Sequence, residues 1–197
     1  TCALPISSSS TTPVDSDNSY EFGSITAGNG FTCATEDGSG LGYCWGTNMV
    51  GQLGQGSSGP FTESYIPIVI GSSLTYDSLI AGADHVCGTS GGSLFCWGGN
   101  SNGQLGDGTT TMRTTPQTID YGSMFYSYDT TAGGTNFTCG IYKHSFSGYR
   151  IVNCWGLNNY GQLADGTTTQ RLSPTATKGI DYTMVSGGAW QIGRAHV

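Results

Sequence analysis

One phrase occurs three times in this chain: CWGTNMVGQLGQG from Cys44, CWGGNSNGQLGDG from Cys96 and CWGLNNYGQLADG from Cys154. A phrase this long returning in register demands a repeat architecture, in which each unit buries its apolar face only by stacking on a neighbour. A second phrase precedes each copy: AGNGFTC ending at Cys33, AGADHVC at Cys87 and AGGTNFTC at Cys139. A proline follows each copy, at Pro67, Pro116 and Pro174, and Pro13 fits the same slot. The repeats therefore run 13–66, 67–115 and 116–173, and 174–190 is the stub of a fourth beginning at Met184-Val185-Ser186-Gly187-Gly188.

The expected fold class is all-β. No window offers ten residues of helical periodicity free of Gly or Pro. Tyr65–Ile70, Ser93–Trp97 and Tyr149–Trp155 are rich in β-branched and aromatic residues and are bounded by Gly, Asn, Asp and Ser. Glycine, 33 of 197 residues, is concentrated in those turns. One small antiparallel sheet per repeat, stacked on the next, describes a β-propeller.

The core W-G-x-N-x-x-G-Q-L-G, preceded by AGxxHTC-like segments, resembles the repeat of the regulator of chromosome condensation family. That resemblance covers essentially all of 13–190. It implies a seven-bladed propeller with about one repeat per blade, of which this chain supplies about three blades. Ala164 departs from it by replacing the last glycine of GQLG, which weakens the turn expected there.

The repeated side chains read as framework. Trp45, Trp97 and Trp155 are the largest apolar groups of each copy, and identical placement in every repeat suits wedges between blades better than a ligand platform. Leu53, Leu105 and Leu163 are knobs for the core. Gly51, Gly103 and Gly161 are expected at positive φ, and Asn48, Asn100 and Asn158 suit the same turns, tolerating left-handed backbone and hydrogen-bonding locally.

Six cysteines pair inside the repeats as Cys33–Cys44, Cys87–Cys96 and Cys139–Cys154. Their separations vary while both flanks stay in register, as a hairpin loop between adjacent strands requires. Opposed strand positions lie within disulfide range. Structural zinc wants close C-x(2–4)-C pairs, which are absent here; buried free thiols remain the other reading. Disulfides imply an oxidising, extracellular or secretory compartment. The sequon Asn136-Phe137-Thr138 makes Asn136 a candidate glycosylation site. The cysteine pattern, AGxxFxCG followed by CWG, is also similar to the ectodomain repeats of plant Crinkly-type receptor kinases.

No Ser/His/Asp grouping, HExxH, G-x-S-x-G or P-loop is visible, so no enzyme activity, cofactor or metal is expected. His85 occupies the slot of Phe31 and Phe137 and reads as a packed strand residue. Asp107 and Asp165 read as turn residues. Function is expected where repeats differ. Candidate binding positions are Phe61 and Tyr65, Arg113, Phe125 and Tyr126 in an aromatic run, and Lys143 and His144 in the longest hairpin loop. The net charge of −7 excludes a phosphate-binding surface of clustered bases, so nucleic acid is not an expected partner. A protein or carbohydrate ligand is expected, together with the remaining blades of the same chain. The alternative function, implied by the founding member of the first family, is guanine-nucleotide exchange on a small GTPase inside the cell.

The ends read differently. TCALPI at 1–6 and the stretch 191–197, ending IGRAHV, match translations of the two strands of one sequencing adapter. This predicts a native portion of 7–190 and removes Cys2 from the cysteine count, leaving six.

Overall fold

The computed structural model describes residues 20–71, 74–119, 126–178, 184–188 and 192–195. Three four-stranded antiparallel sheets follow one another along the chain, each a simple meander. The first comprises β1 (Phe22–Ala27), β2 (Phe31–Glu36), β3 (Gly42–Gly46) and β4 (Ser64–Val69). The second comprises β5 (Ser78–Ala81), β6 (His85–Ser90), β7 (Ser93–Gly98) and β8 (Arg113–Ile119). The third comprises β9 (Tyr126–Gly133), β10 (Phe137–His144), β11 (Arg150–Gly156) and β12 (Arg171–Ala176). A two-stranded pair follows, β13 (Met184–Gly187) with β14 (Ile192–Ala195); its second strand lies in the segment read as adapter-encoded. No helix occurs among the described residues, and so none there is long and apolar enough to cross a membrane.

The first strands of successive sheets lie side by side, β1 against β5, β5 against β9 and β9 against β13, which is the arrangement of propeller blades around an axis. The loops after these strands are tied in series: Asn29 N donates to Ala83 O at 2.7 Å and Ala83 N to Thr135 O at 3.3 Å. The proline landmarks fall inside the fourth strands β4, β8 and β12. These are sheet edges, where a residue without an N–H costs no ladder bond. Sequence repeat and sheet are thus out of phase by about half a strand.

In each sheet the tryptophan sits at a register shift between the third and fourth strands, at Cys44/Gly46, Cys96/Gly98 and Cys154/Gly156. The glycine after it takes φ of 102°, 96° or 103°. A side chain there would collide with the facing strand; a Cβ on Gly46 would lie 2.3 Å from Gly30 O. The bulge is therefore specified by the W-G pair, and it re-aims the strand end locally.

Among the described residues the core forms clusters, two of which lie between successive sheets. Leu53 of the first repeat joins Tyr76, Leu79, Val86 and Trp97 of the second. Leu105 of the second joins Tyr128, Tyr142 and Trp155 of the third. Leu53, Leu105 and Leu163 are fully buried, as their placement predicts.

Candidate functional site

The cysteines of each expected pair face one another across the second and third strands: Cys33 opposite Cys44, Cys87 opposite Cys96 and Cys139 opposite Cys154. Each pair is bonded, with Cα atoms 4.1 Å apart, and each sulfur is buried. The same register position carries the bond in every sheet although the loops between differ in length.

The G-Q-L-G turn is built identically three times. Asn48, Asn100 and Asn158 accept a hydrogen bond at Oδ1 from the leucine amide five residues on, each at 3.0 Å. These asparagines are buried; the local hydrogen bonding expected of them is present, while none has the left-handed backbone they would tolerate. They act instead as hydrogen-bond hubs: Asn100 Nδ2 donates to Thr109 O, Thr111 O and Asp107 Oδ1, gathering the whole following loop. Gly51, Gly103 and Gly161 take φ of 82°, 72° and 72° as predicted. Ala164 holds φ 53° and its amide still bonds Gly161 O at 3.0 Å, so the turn survives the substitution.

The glutamine side chain folds back on its own loop, leaving its carbonyl to face the next repeat. Trp97 Nε1 donates to Gln52 O at 3.0 Å, and Trp155 Nε1 to Gln104 O at 2.9 Å. Both indoles are fully buried. Trp45 occupies the equivalent bulge but is only partly buried. It lines a groove of about 580 Å³ with Met49, Pro60, Phe61 and Tyr65. Phe61, at φ 68°, is 93% exposed. The structure thus brings Phe61 and Tyr65 together.

Arg113 is held elsewhere. Its guanidinium pairs with Asp107 at 2.6 Å, and Thr109 donates to the same carboxylate at 2.7 Å. Arg171, Asp165 and Thr167 repeat this clasp with the same distances. Burial pulls each carboxyl upward, but the threonine and arginine hydrogen bonds outweigh it, lowering Asp107 and bringing Asp165 to about 2. Sequence reading took the aspartates as turn residues and Arg113 as a ligand contact. The matched spacing D-G-T-T-T-x-R was the signal that joins them.

His85 is fully buried between the second and third repeats. Its Nε2 lies 2.8 Å from Thr138 Oγ1, which in turn donates to Gln104 O at 2.8 Å. Thr138 has one hydroxyl proton and gives it to Gln104, so Nε2 must carry the imidazole proton. Burial pushes the ring down to about 4. Thr138 is also the sequon threonine and is wholly buried, while Asn136 is partly exposed.

The hairpin loop between β10 and β11, which longer strands leave at five residues, the same as between β2 and β3, projects Phe146 and Tyr149 into solvent, Phe146 being 81% exposed. Its base is closed by an Arg150–Asp129 ion pair at 2.7 Å, and His144 Nδ1 accepts from the Ser147 amide at 3.1 Å. Lys143 lies at the strand end of the same loop. Phe125 lies outside the described residues, and Tyr126 enters only as a backbone position of β9.

Comparison with known proteins agrees with this geometry. Residues 91–141 match the regulator of chromosome condensation (RCC1) repeat. The Arabidopsis thaliana ultraviolet-B receptor UVR8 is 30% identical over 174 residues, covering 86% of this chain and 38% of the receptor. Human WBSCR16 superposes with a TM-score of 0.77 at 17% identity, over 90% of this chain and 45% of that one. The Crinkly ectodomain of the Arabidopsis thaliana receptor kinase ACR4 superposes at 0.51 with 20% identity, over 88% of this chain and 48% of that one. Three sheets of one pattern, joined through Trp and GQLG, define a β-propeller segment. Residues 91–141 carry the RCC1 repeat, and the chain has the fold of the RCC1-like propellers. It spans less than half the length of these proteins.

Proposed function

We propose that the chain is part of an extracellular, disulfide-stapled propeller that recognises a protein or carbohydrate ligand. The observation carrying this reading is the threefold disulfide: three buried bonds at one register position, one per repeat. Such bonds persist in oxidising compartments and are reduced in the cytosol. Closing loops of this size stabilises each sheet by about 3 kcal/mol. Recognition falls to the loop between β10 and β11, where Phe146 and Tyr149 offer exposed aromatic surface on an anchored base. Aromatic side chains of this kind supply contact area at low entropic cost. In the same reading 1–6 and 191–197 are adapter-encoded and Asn136 receives its glycan before Thr138 is buried. Peptide mapping of the protein isolated from its source, under non-reducing conditions, is the test. Cys33–Cys44, Cys87–Cys96 and Cys139–Cys154 are expected as linked peptides. Free thiols at these six positions would sink the compartment assignment and favour the alternative, an intracellular exchange factor.

A further inference from the structure

The joint between the first and second sheets and the joint between the second and third are built to one plan and filled differently. Across the first, Trp97 donates to Gln52 O at 3.0 Å; across the second, Trp155 donates to Gln104 O at 2.9 Å. A glycine lies midway along β6 and β10, and a tyrosine ring covers it. A Cβ on Gly88 would lie 2.6 Å from Tyr76 Cδ1, and one on Gly140 would lie 2.9 Å from Tyr128 Cε1. In the first joint Leu79 and Phe95 flank Gly88. In the second, Thr131 and Asn153 flank Gly140 at the same register. Val86, opposite Trp97, gives way to Thr138, opposite Trp155. The first sheet sends Phe31 into its joint; the second sheet sends His85, at the same register, into the next. Four apolar side chains of the first joint are thus four polar ones in the second, and all four of the polar ones are buried.

His85 and Thr138 bond one another across the second joint, but its remaining polar atoms are unmatched. Thr131 Oγ1, both polar atoms of the Asn153 carboxamide and His85 Nδ1 are buried without a hydrogen-bond partner among the described residues. Such an atom gives up its water when the joint closes and receives no bond in exchange. Closing the second joint therefore releases less free energy than closing the first. Each disulfide lies within one sheet, and among the described residues no ion pair crosses the joint. Nothing of either kind resists the separation of the second and third sheets as intact units. We infer that the joint between the second and third sheets is a built-in seam, at which this propeller segment opens first and admits water to Thr131 and Asn153 while each sheet keeps its strands and its disulfide. The orphaned atoms supply the two to four partners that an entering water needs. The first joint, closed by Phe31, Leu79, Val86 and Phe95, offers water no such bonds and stays shut. Opening at the seam is a local event, lying below the cost of unfolding the whole.

Native-state hydrogen exchange of the two indole N–H groups tests the seam, because each makes the same bond to a glutamine carbonyl. In the 197-residue chain Trp155 should exchange at least tenfold faster than Trp97, while the strand amides of β10 and β11 stay protected. Thr131→Val replaces an orphaned hydroxyl by a methyl of the same shape. It should slow Trp155 exchange at least threefold and leave Trp97 as it is. The reciprocal change, Leu79→Thr with Phe95→Asn, should carry the seam to the first joint and speed Trp97 exchange at least tenfold. Equal protection of the two indoles in the wild type overturns the inference, and so does Trp155 exchange that Thr131→Val leaves unchanged. Loss of the β10 and β11 amides in step with Trp155 overturns it as well, since the third sheet would then be unfolding rather than parting from its neighbour. If the double variant does not fold, the wild-type ratio and Thr131→Val decide the matter without it.

Discussion

The loops that follow the GQLG turn differ sharply between the first repeat and the other two. In the second and third, an Asp–Thr–Arg clasp closes the loop, and the asparagine hub binds two backbone carbonyls and the carboxylate. In the first, Gln55 replaces the aspartate, the loop is longer, and Asn48 Nδ2 reaches only Ser57 O at 3.1 Å. Pro60, Phe61 and Tyr65 take the place of the charged clasp beside the partly buried Trp45. A turn scaffold can thus be held constant while the loop it supports is exchanged from a self-satisfied polar unit to an apolar rim. The scaffold tolerates this because Asn, Gly and Leu make their bonds within the turn itself.

The largest expected effect sharpens that contrast at the tryptophans. Trp97→Ala should cost about 4 kcal/mol, because it empties a fully buried joint and strands Gln52 O. Trp45→Ala in the same chain should cost about 1 kcal/mol, its indole being only partly covered. Denaturant melts of the two variants measure the difference, and equal losses would show that the first tryptophan is as well packed as the second.

The next contrast sets the middle repeat against its neighbours, His85 against Phe31 and Phe137. His85 in the fold has a pKa of about 4, below the ordinary 6.5. The unfolded chain therefore takes up the proton first. The stability is whole above pH 6.5 and drains away as pH falls from 6.5 to 4, by about 3 kcal/mol at roughly 1.4 kcal/mol per pKa unit. His85→Phe should flatten melting temperature against pH in that window. A variant with the same slope as the wild type would place the acid sensitivity elsewhere.

The smallest effect concerns the clasp. Asp165→Asn should lower stability by about 1 kcal/mol at pH 7, since Arg171 stays partly solvated. The Asp165 pKa is lowered to about 2, so the wild-type contribution is present above pH 3.8 and is lost as pH falls toward 2. Gln55→Asn in the first repeat, which has no clasp to break, should leave the melt unchanged. Loss of the same size there would show that the loop, not the ion pair, carries the stability.

Much of this was legible in the residues. The period of the CWG and GQLG phrases announced stacked all-β units, the register of the cysteines announced their pairing, and Gly51, Gly103 and Gly161 announced positive φ. The clasp was missed because its aspartate and arginine were each assigned a separate role, although their spacing recurs. The asparagines were legible as turn residues that hydrogen-bond locally, but their burial and their reach across the following loop were not, because those depend on the loop folding over them. Phe61 and Tyr65 were singled out correctly as a place where repeats differ, but the groove they form depends on Trp45 lying beside them.

By itself the sequence determined what each repeat is: a four-strand meander with one disulfide, one bulge and one turn. These features are local, made by residues within a few tens of positions of one another, so a repeated phrase is enough to specify them. Only the tertiary structure decided what each copy does. Trp45 and Trp97 are the same residue in the same phrase, yet Trp97 is fully buried and Trp45 only partly so, because burial is conferred by the neighbouring repeat. His85 likewise acquires its proton placement from Thr138 and Gln104 across a joint. Contacts between units belong to pairs of repeats, and no single copy of the phrase encodes them.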